Sequence, residues 1–357
     1  MAGASHPRRI LLCGYYGEHN LGDDALLEVL LQQLPAGCNP VVTAHDQVQV
    51  QQRFGVETVP RRRLAAVLAA LAGCQGLVLG GGSLLQDVTS FSSLLYYAAL
   101  IVAARLQAKP VVLWGQGLGP LRRRRSRLLV RGLLPWLQAV RWRDPESAAL
   151  AVRLGRPGHH DHDYGADPVW ASPSQPWHGQ GGPIVVCWRP TPHLHGQAWS
   201  PYLKALSQLA VEADREVLWL PFHAEQDRDL LLVLSQQQLV PAPLLARSRS
   251  VQAHTPSEAK AVFAGAGLVI AMRLHGLILA AAGGAPCAAL SYDPKVEVAA
   301  LALGCPCQRL EVSASTAELV QAWQAQLEQP PNPQRLSELR DQALSHKQLL
   351  ASALEHH

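Results

Sequence analysis

Short apolar segments alternate with helical segments along almost the whole chain of 357 residues, and this alternation constrains the fold more than any other feature. Neighbouring parallel strands need a crossover helix between them, so the pattern predicts an α/β protein with parallel, doubly wound sheets. The strands predicted in the first half are 9–13, 40–44, 56–59, 76–79, 110–113 and 139–142. Those predicted in the second half are 184–188, 217–220, 267–271 and 287–290.

The chain length and one linker-like segment predict two domains. Chains longer than about 250–300 residues usually divide into domains with separate hydrophobic cores. This chain is longer than that. Segment 171–183 is rich in Ser, Pro, Gln and Gly, which is typical of a linker. We therefore predict Rossmann-like domains over 1–175 and 176–332, a C-terminal helix over 333–353 that can cross back to the first domain, and a purification-tag remnant over 354–357.

The charges are nearly balanced overall, but the arginines are clustered. The net charge is +4, and arginines fill 61–63 and 122–125, with Arg127 and Arg131 shortly after. We favour a solvated basic face as the meaning of these runs, and attraction to an anionic membrane surface or to a phosphate-bearing substrate is the alternative. No aromatic stacking platform or recognition motif accompanies the runs, so nucleic acid is not an expected partner.

Cysteine usage and hydropathy predict where the protein works. The seven cysteines are odd in number and lie mostly in apolar segments, which suits a reducing cytoplasm better than a disulfide framework. No segment reaches the roughly 18 uninterrupted apolar residues of a membrane span. We therefore expect a cytoplasmic protein, with peripheral attachment to the inner face of the membrane as a further option.

The segment 272–276 lies between a predicted buried strand and a predicted helix, and it contains Arg273 and His275. The first backbone N–H groups of a helix have no partner inside the helix, so they can hold an anion together with a nearby guanidinium. An imidazole two residues away adds a group that exchanges protons near neutral pH. The pair predicts an anion-and-proton site. The alternative, which we favour for any single pair of this kind, is that Arg273 caps a carbonyl and His275 is an ordinary polar residue of a helix start.

Glycine-rich segments follow three predicted strands of the first half, and they are 14–24, 80–83 and 115–119. Glycine lets the backbone approach a ligand closely, so three such loops at one sheet edge predict a ligand site. The spacing is not G-x-G-x-x-G, which argues against a dinucleotide. Asn20, Asp23 and Asp24 suit sugar hydroxyls, and one of the aspartates is expected to be a helix N-cap.

Basic side chains follow the strand ends of the second half. They are Arg189, Arg273, His275 and Lys295, and Arg143 takes a similar place in the first half. Several cations around one imidazole suit a small anion that bears both phosphate and carboxylate, because arginine binds either group bidentately. With two α/β domains, this arrangement predicts a group transferase.

Two groups of metal-ligand residue types are weak candidates. Residues 159–163 read His-His-Asp-His-Asp, but consecutive ligands on a loop match no standard spacing. Cys305 and Cys307 form a C-x-C pair without a second pair. No metal site is therefore predicted.

Seven motifs in order along the chain resemble those of the polysaccharide pyruvyl transferases of the CsaB type. They are 14–24 with its Asn-Leu-Gly-Asp-Asp core, 80–87, 115–120, 143–144, 165–168, 273–276 and 292–295. The resemblance implies a GT-B-like fold, in which two Rossmann-like domains face each other across a cleft. It also implies transfer of a pyruvyl group from phosphoenolpyruvate to a sugar of a cell-surface polysaccharide or its lipid-linked precursor, with formation of a ketal and release of phosphate.

The resemblance also implies roles for individual residues, with phosphoenolpyruvate as co-substrate and no cofactor. The donor-binding residues would be Arg273, Leu274 and Arg189. The catalytic residues would be His275, Arg143 and Lys295. As our own hypothesis beside the resemblance, the acceptor would be contacted by Asn20, Asp23, Asp24, Gly81, Gly82 and Asp87.

Two other functions fit the same sequence. A GT-B glycosyltransferase would bind a nucleotide sugar and would need an acidic residue for the ribose, for which Glu297 is the nearest candidate. A non-catalytic carbohydrate-binding protein would keep the fold and bind the acceptor without releasing phosphate.

Overall fold

The computed structural model describes residues 7–88, 90–155 and 164–355, which form two compact units. The first unit comprises the described residues of Met1–Glu18, Asp23–Ala171 and Arg340–His357. The second comprises His19–Gly22 and Ser172–Leu339. The change of unit after Ala171 falls in the predicted linker, whereas the segment His19–Gly22 joins a unit that is otherwise built from the second half of the chain.

The first unit contains a parallel sheet of six strands in the order β3-β2-β1-β4-β5-β6. The strands are β1 (Arg8–Tyr16), β2 (Cys38–Ala44), β3 (Glu57–Pro60), β4 (Gly76–Leu85), β5 (Val111–Leu118) and β6 (Ala139–Trp142). Its helices are α1 (Leu21–Gln33), α2 (Gln47–Phe54), α3 (Leu64–Ala72), α4 (Phe91–Leu106), α5 (Arg124–Leu133) and α6 (Pro145–Arg153).

The second unit contains another parallel sheet of six strands in the order β12-β11-β10-β7-β8-β9. The strands are β7 (Ile184–Cys187), β8 (Val217–Trp219), β9 (Ser248–Ser250), β10 (Leu268–Ala271), β11 (Cys287–Ser291) and β12 (Cys307–Arg309). The helices are α7 (Ser200–Glu212), α8 (Ala224–Asp227), α9 (Leu230–Gln236), α10 (Ala242–Arg247), α11 (Pro256–Ala264), α12 (Leu274–Ala282), α13 (Pro294–Leu303), α14 (Thr316–Gln326) and α15 (Pro333–Glu355).

Both sheets place their first strand beside their fourth strand. In the first sheet β1 pairs with β2 and β4, and in the second sheet β7 pairs with β8 and β10. The strand order therefore reverses direction between β1 and β4, and again between β7 and β10. Ligands of open α/β sheets bind at the carboxyl ends of the strands at such switch points. The predicted class of two Rossmann-like domains is confirmed, and the two switch points are the places to look for a site.

Each unit has its own hydrophobic core. In the second unit Trp188 packs against Trp199, Trp219 and Trp323, with ring centroids 5.9, 5.4 and 6.5 Å away. All four rings are buried. Large aromatic side chains remove much apolar surface from water when they are buried. This cluster therefore holds the carboxyl end of β7 against the helices that cover it.

Most of the glycine segment 14–24 follows β1 as predicted, whereas 80–83 and nearly all of 115–119 lie inside strands, which corrects the prediction that these two are loops. β4 and β5 continue through them with irregular register. The buried amide group of Gln116 donates to the carbonyls of Gly80 and Gly81 at 2.8 and 2.9 Å and accepts from the backbone N–H of Leu84 at 3.2 Å. The Gln116 side chain therefore satisfies backbone groups where the strand register is irregular.

The start of α1 also differs from the prediction. The helix begins at Leu21, and the side-chain oxygen of Asn20 accepts from the backbone N–H of Gly22 at 3.0 Å. Asp23 and Asp24 lie in the first turn, where negative charge is favoured by the helix dipole. The expected aspartate N-cap is therefore wrong, because the chain becomes helical before it reaches either aspartate.

In the arginine run 61–63, Arg62 and Arg63 are exposed as predicted, whereas Arg61 is not. Arg61 forms an ion pair with Glu18, and its guanidinium lies over the ring of Tyr15, 3.9 Å from the centroid. The Arg61 side chain is only 12% exposed. The charge of Arg61 is therefore compensated inside the first unit by Glu18, because a buried guanidinium is costly without a nearby carboxylate.

The last helix connects the two units in sequence. α15 begins in the second unit, and its residues from Arg340 onward belong to the first, as predicted for a C-terminal helix that crosses back. Leu354, assigned to a tag in the prediction, is buried in this helix, and residues 356–357 lie outside the described part of the chain. Among the described helices, none has the length and apolar character needed to cross a bilayer.

A buried histidine attaches α15 to the first unit. His346 is fully buried, its Nε2 donates to the carbonyl of Ala166 at 2.8 Å, and its ring packs edge-on against Trp114. Burial lowers the pKa of His346 from 6.5 to about 4. The folded protein therefore binds a proton at His346 less tightly than the unfolded chain does. The contribution of the neutral imidazole to the free energy of unfolding is fully present above pH 6.5 and is lost as the pH falls toward 4.

His346 therefore predicts a pH-dependent loss of stability. Between pH 7.5 and pH 5 we expect the wild-type free energy of unfolding to fall by about 2 kcal/mol more than that of His346→Gln, which keeps an N–H donor but does not titrate. Chemical unfolding at both pH values measures the difference. The exposed control His195→Gln should behave like wild type. Equal losses in wild type and His346→Gln would contradict this account.

Candidate functional site

The predicted donor site lies at the switch point of the second sheet. Arg189 follows the end of β7, and Arg273 follows the end of β10 as the N-cap residue of α12. Their guanidinium groups converge on one acceptor. The side-chain oxygen of Gln226 accepts from Nη2 of Arg189 at 3.1 Å and from Nη2 of Arg273 at 3.2 Å. The structure therefore brings together two arginines that are far apart in the sequence.

Asp227, which is not among the predicted site residues, holds Arg273 in place. Nε and Nη2 of Arg273 donate to the two carboxylate oxygens of Asp227 at 2.9 and 2.5 Å. The Asp227 side chain is fully buried, and it also accepts from the backbone N–H groups of Phe222 and His223 at 3.1 and 2.9 Å. Within the described ranges, Nη1 of Arg273 has no hydrogen-bond partner, so this end of the guanidinium can bind a ligand.

The motif 292–295 lies at the end of the neighbouring strand β11. Nη1 of Arg189 donates to the hydroxyl of Tyr292 at 3.0 Å, and the guanidinium lies 5.1 Å from the ring centroid. Lys295 is in the first turn of α13, where its Nζ pairs with Asp293 at 3.1 Å. Tyr292 therefore orients Arg189 directly, while Lys295 lies at the same edge of the sheet.

The positive charge at this edge is smaller than the sequence suggested. Arg273 and Lys295 each form an ion pair with a neighbouring carboxylate, from Asp227 and Asp293. No carboxylate of the described residues lies within ion-pair distance of Arg189. The site therefore carries a modest surplus of positive charge, concentrated near Arg189, instead of three or four uncompensated cations.

His275 lies in the first turn of α12 and packs against the segment His19–Gly22. A Cβ atom added to Gly22 would lie 2.2 Å from Nδ1 of His275, so only glycine leaves room for the imidazole. Asn20 in the same segment forms an antiparallel bridge with His223. The motif that follows the first strand of the chain therefore reaches His275 as a part of the second unit.

His223 is a second histidine of this site that the sequence analysis missed. It is only 8% exposed, and its Nδ1 accepts from the backbone N–H of Glu225 at 3.3 Å. Burial lowers the pKa of His223, and the nearby charge of Arg273 lowers it further. The ring is therefore neutral near pH 7. Both His223 and Asp227 follow the end of β8, but their spacing gives no sign of the contact with Arg273.

The residues beside His275 have packing roles. Gly276 approaches β7 closely, since an added Cβ would lie 3.2 Å from the Cβ of Cys187. Leu274, predicted to bind the donor, has a buried side chain at the start of α12. Its backbone is the part that remains suitable for an anion, because helix N-terminal N–H groups favour negative charge.

Arg143 connects three segments of the first unit. Its Nη2 donates to the hydroxyl of Ser83 at 2.9 Å, its Nε donates to Asp144 at 3.3 Å, and its Nη1 lies 3.9 Å from the carboxylate of Asp167. The side chain is 8% exposed. Arg143 therefore ties the end of β4 to the start of α6 and to the motif 165–168. Gly82 just before Ser83 has a φ of 81°, which favours glycine.

Two of the predicted acceptor residues have both a buried position and a structural partner. Both carboxylate oxygens of Asp87 accept backbone N–H groups, from Arg122 and Arg123 at 2.8 Å each. The carboxylate of Asp24 pairs with Arg53 at 2.6 Å. These interactions fix the starts of α5 and α1, so we leave Asp87 and Asp24 out of the acceptor site that we propose.

Glu297, the candidate ribose contact of a glycosyltransferase, also has structural partners within the protein. It accepts from the hydroxyl of Ser291 at 3.2 Å and forms an ion pair with Arg309. Within the described ranges, no group of three His, Cys, Asp or Glu residues is arranged to hold a metal ion. The run 159–163 lies outside those ranges.

Solved structures share this two-domain fold at low sequence identity. A putative UDP-N-acetylglucosamine 2-epimerase from Listeria monocytogenes is 12% identical with a TM-score of 0.64, and the match covers 98% of this chain and 96% of that chain. Alr3699/HepE from Anabaena, solved with UDP and glucose, is 12% identical with a TM-score of 0.56 and 97% coverage of both chains. Such identities show a GT-B-like fold and nothing about the substrate.

Sequence comparison is more specific than the fold. No curated protein sequence matches the chain significantly. The family model for polysaccharide pyruvyl transferase matches residues 20–294, which include the switch-point residues Arg189, Arg273 and His275. The chain therefore belongs to the polysaccharide pyruvyl transferase family.

Proposed function

We propose that the chain transfers a pyruvyl group from phosphoenolpyruvate to a sugar of a cell-surface polysaccharide or of its lipid-linked precursor. The products are a pyruvate ketal and inorganic phosphate, and no further cofactor takes part. The observation that supports the proposal most is the convergence of Arg189 and Arg273 on one oxygen position at the switch point of the second sheet. Family membership supports the reaction class.

The oxygen of Gln226 marks the place where an oxygen of the donor would lie. It is a neutral amide oxygen, and it accepts from both guanidinium groups at 3.1 and 3.2 Å. A phosphate or carboxylate oxygen at the same position would form stronger, charge-assisted hydrogen bonds. None of the described side chains caps α12, so its first N–H groups and Nη1 of Arg273 can bind the remaining donor oxygens.

The chemistry that we propose has two steps. His275 protonates the methylene carbon of phosphoenolpyruvate, and positive charge develops at the central carbon, which a first hydroxyl of the acceptor attacks as it loses its proton. The proton of the first hydroxyl returns to His275. A second hydroxyl of the same sugar then attacks the same carbon and gives its proton to the departing phosphate, so a second C–O bond forms while the bond between the central carbon and the phosphate ester oxygen breaks. Arg189, Arg273 and Lys295 stabilise the negative charge of the departing phosphate.

The proposed acceptor contacts are the remaining polar or glycine positions of the predicted set. They are Asn20, Asp23, Gly81 and Gly82. Arg143 is proposed as a positioning residue, since its guanidinium holds Ser83 next to the two glycines at 2.9 Å. This assignment changes the role of Arg143 from catalysis to support of the acceptor contacts.

The direct test incubates the purified protein with phosphoenolpyruvate and a panel of pyrophosphate-linked disaccharides. We expect release of phosphate in equal amount to a ketal detected by mass spectrometry, and His275→Ala should lower the rate by about 10²–10⁴-fold because a general acid is lost. Transfer from a UDP-sugar in place of phosphoenolpyruvate would support a glycosyltransferase instead. Acceptor binding without phosphate release would support a carbohydrate-binding protein.

Substitution of Gln226 tests whether its oxygen occupies the donor position. In Gln226→Glu a carboxylate of the protein competes for both arginines, so the KM for phosphoenolpyruvate should rise at least about tenfold. Gln226→Ala removes the competing oxygen and should leave KM unchanged or lower it. The matched pair separates competition from loss of a contact. Equal KM values for the two variants would show that the donor binds elsewhere.

Substitution of Gly22 tests whether the segment His19–Gly22 positions His275. In Gly22→Ala the new methyl group displaces the imidazole, and a displacement of about 1 Å should lower turnover about 100-fold. Gly132→Ala is the control, because Gly132 is also helical and its added Cβ meets no atom within 4 Å. Steady-state rates and thermal unfolding of both variants are measured together. Full turnover in Gly22→Ala would remove His275 from the mechanism.

A further inference from the structure

A dense run of arginines covers the start of α5 (Arg124–Leu133). The exposed members are Arg122, Arg123, Arg124, Arg125, Arg127 and Arg131. The helix contains no acidic residue, and the described carboxylates form no ion pair with these arginines. Their charge is therefore directed to the solvent, in contrast to that of Arg61.

The exposed face of α5 combines these charges with one apolar side chain. Residues at spacings of three and four lie on the same face of a helix. One face is formed by Arg124, Arg127, Leu128 and Arg131, and the opposite face by Ser126, Val130 and Leu133, which are buried. Leu128 is 68% exposed, so this apolar side chain is in contact with solvent and has arginines on both sides.

The arrangement is unfavourable for the isolated protein. Positive charges at the N-terminus of a helix oppose its dipole, and like charges one turn apart repel each other. α5 has no acidic residue in its first turn, and no side chain in the described part of the chain caps it. The carboxylate of Asp87 compensates part of this positive charge, since it accepts the backbone N–H groups of Arg122 and Arg123. An external anionic surface would relieve the remaining repulsion.

Three of the guanidinium groups are held in place by the first unit. Nη1 of Arg123 donates to the carbonyl of Asp87 at 3.1 Å. Arg125 lies over the ring of Phe91, 4.0 Å from the centroid. Nε of Arg127 donates to the carbonyl of Leu121 at 2.8 Å, which leaves its terminal nitrogen atoms for another partner. Side chains that are already ordered lose less entropy when they bind, so this face is prepared for phosphate groups.

We propose that this face of α5 binds the surface of an anionic phospholipid membrane. The arginines would bind lipid phosphates, and Leu128 would enter the interface between headgroups and acyl chains. Basic helices with an apolar residue on the same face favour membrane surfaces, whereas nucleic-acid sites use aromatic stacking or recognition elements. The inference goes beyond pyruvyl transfer, because it concerns where the chain resides and needs no turnover.

The test measures binding of the purified chain to vesicles by co-sedimentation. We compare phosphatidylcholine vesicles with vesicles that also contain phosphatidylglycerol, and we expect binding to the second alone, weakened by salt. Each arginine near an anionic surface contributes about fivefold in affinity, so Arg122→Gln, Arg124→Gln and Arg131→Gln together should weaken binding on the order of 100-fold.

Matched controls separate this face from general charge. Arg63→Gln, Arg249→Gln and Arg340→Gln remove the same charge from exposed positions elsewhere and should change affinity by less than about fivefold, as these side chains lie off the proposed face. Leu128→Ser should also weaken binding, whereas Leu301→Ser, at a leucine that is 82% exposed on α13, should not.

Three results would overturn the proposal. They are equal binding to neutral and anionic vesicles, equal weakening by the two sets of arginine substitutions, and tighter binding to a short RNA than to anionic vesicles at the same salt concentration. Thermal unfolding confirms that each variant is folded. Because vesicle binding and phosphate release are separate readouts, failure of one leaves the other function intact.

Discussion

The candidate site depends on one buried interaction, the bidentate ion pair between Asp227 and Arg273. A carboxylate without solvent exposure costs several kcal/mol unless its oxygens are satisfied. Here two guanidinium N–H groups and two backbone N–H groups, from Phe222 and His223, donate to it. The carboxylate therefore fixes the loop after β8 and the start of α12 relative to each other. Arg273 can face a ligand with one end because its other end is held.

The same strand order in both sheets explains why the functional motifs meet. A switch point brings the ends of two strands together that are separated by a long stretch of chain, as for Arg189 after β7 and Arg273 after β10. The neighbouring strand β11 then adds Tyr292, which contacts Arg189. The segment His19–Gly22 adds a constraint from the start of the chain, because Gly22 packs against His275.

The fold class was predictable from the sequence, since short apolar segments alternate with helical segments along the chain. The outer strands β9 and β12 were not, because each has three mostly polar residues. The positions of Arg189, Arg273 and His275 at one edge followed from strand ends. Asp227 and Gln226 did not, since a short helix after β8 carries them and only the tertiary fold shows that they contact the arginines. Likewise, ion pairs such as Arg61–Glu18 connect residues whose sequence separation carries no signal.

Membership of the polysaccharide pyruvyl transferase family and the switch-point geometry lead to one central claim, that Arg189 and Arg273 bind phosphoenolpyruvate. The most direct measurement is a crystal structure of the protein soaked with phosphoenolpyruvate. The account predicts a donor oxygen within hydrogen-bond distance of both guanidinium groups, with the side chain of Gln226 displaced from its position between them. A donor bound away from both arginines, or Gln226 still bridging them at saturating phosphoenolpyruvate, would contradict it.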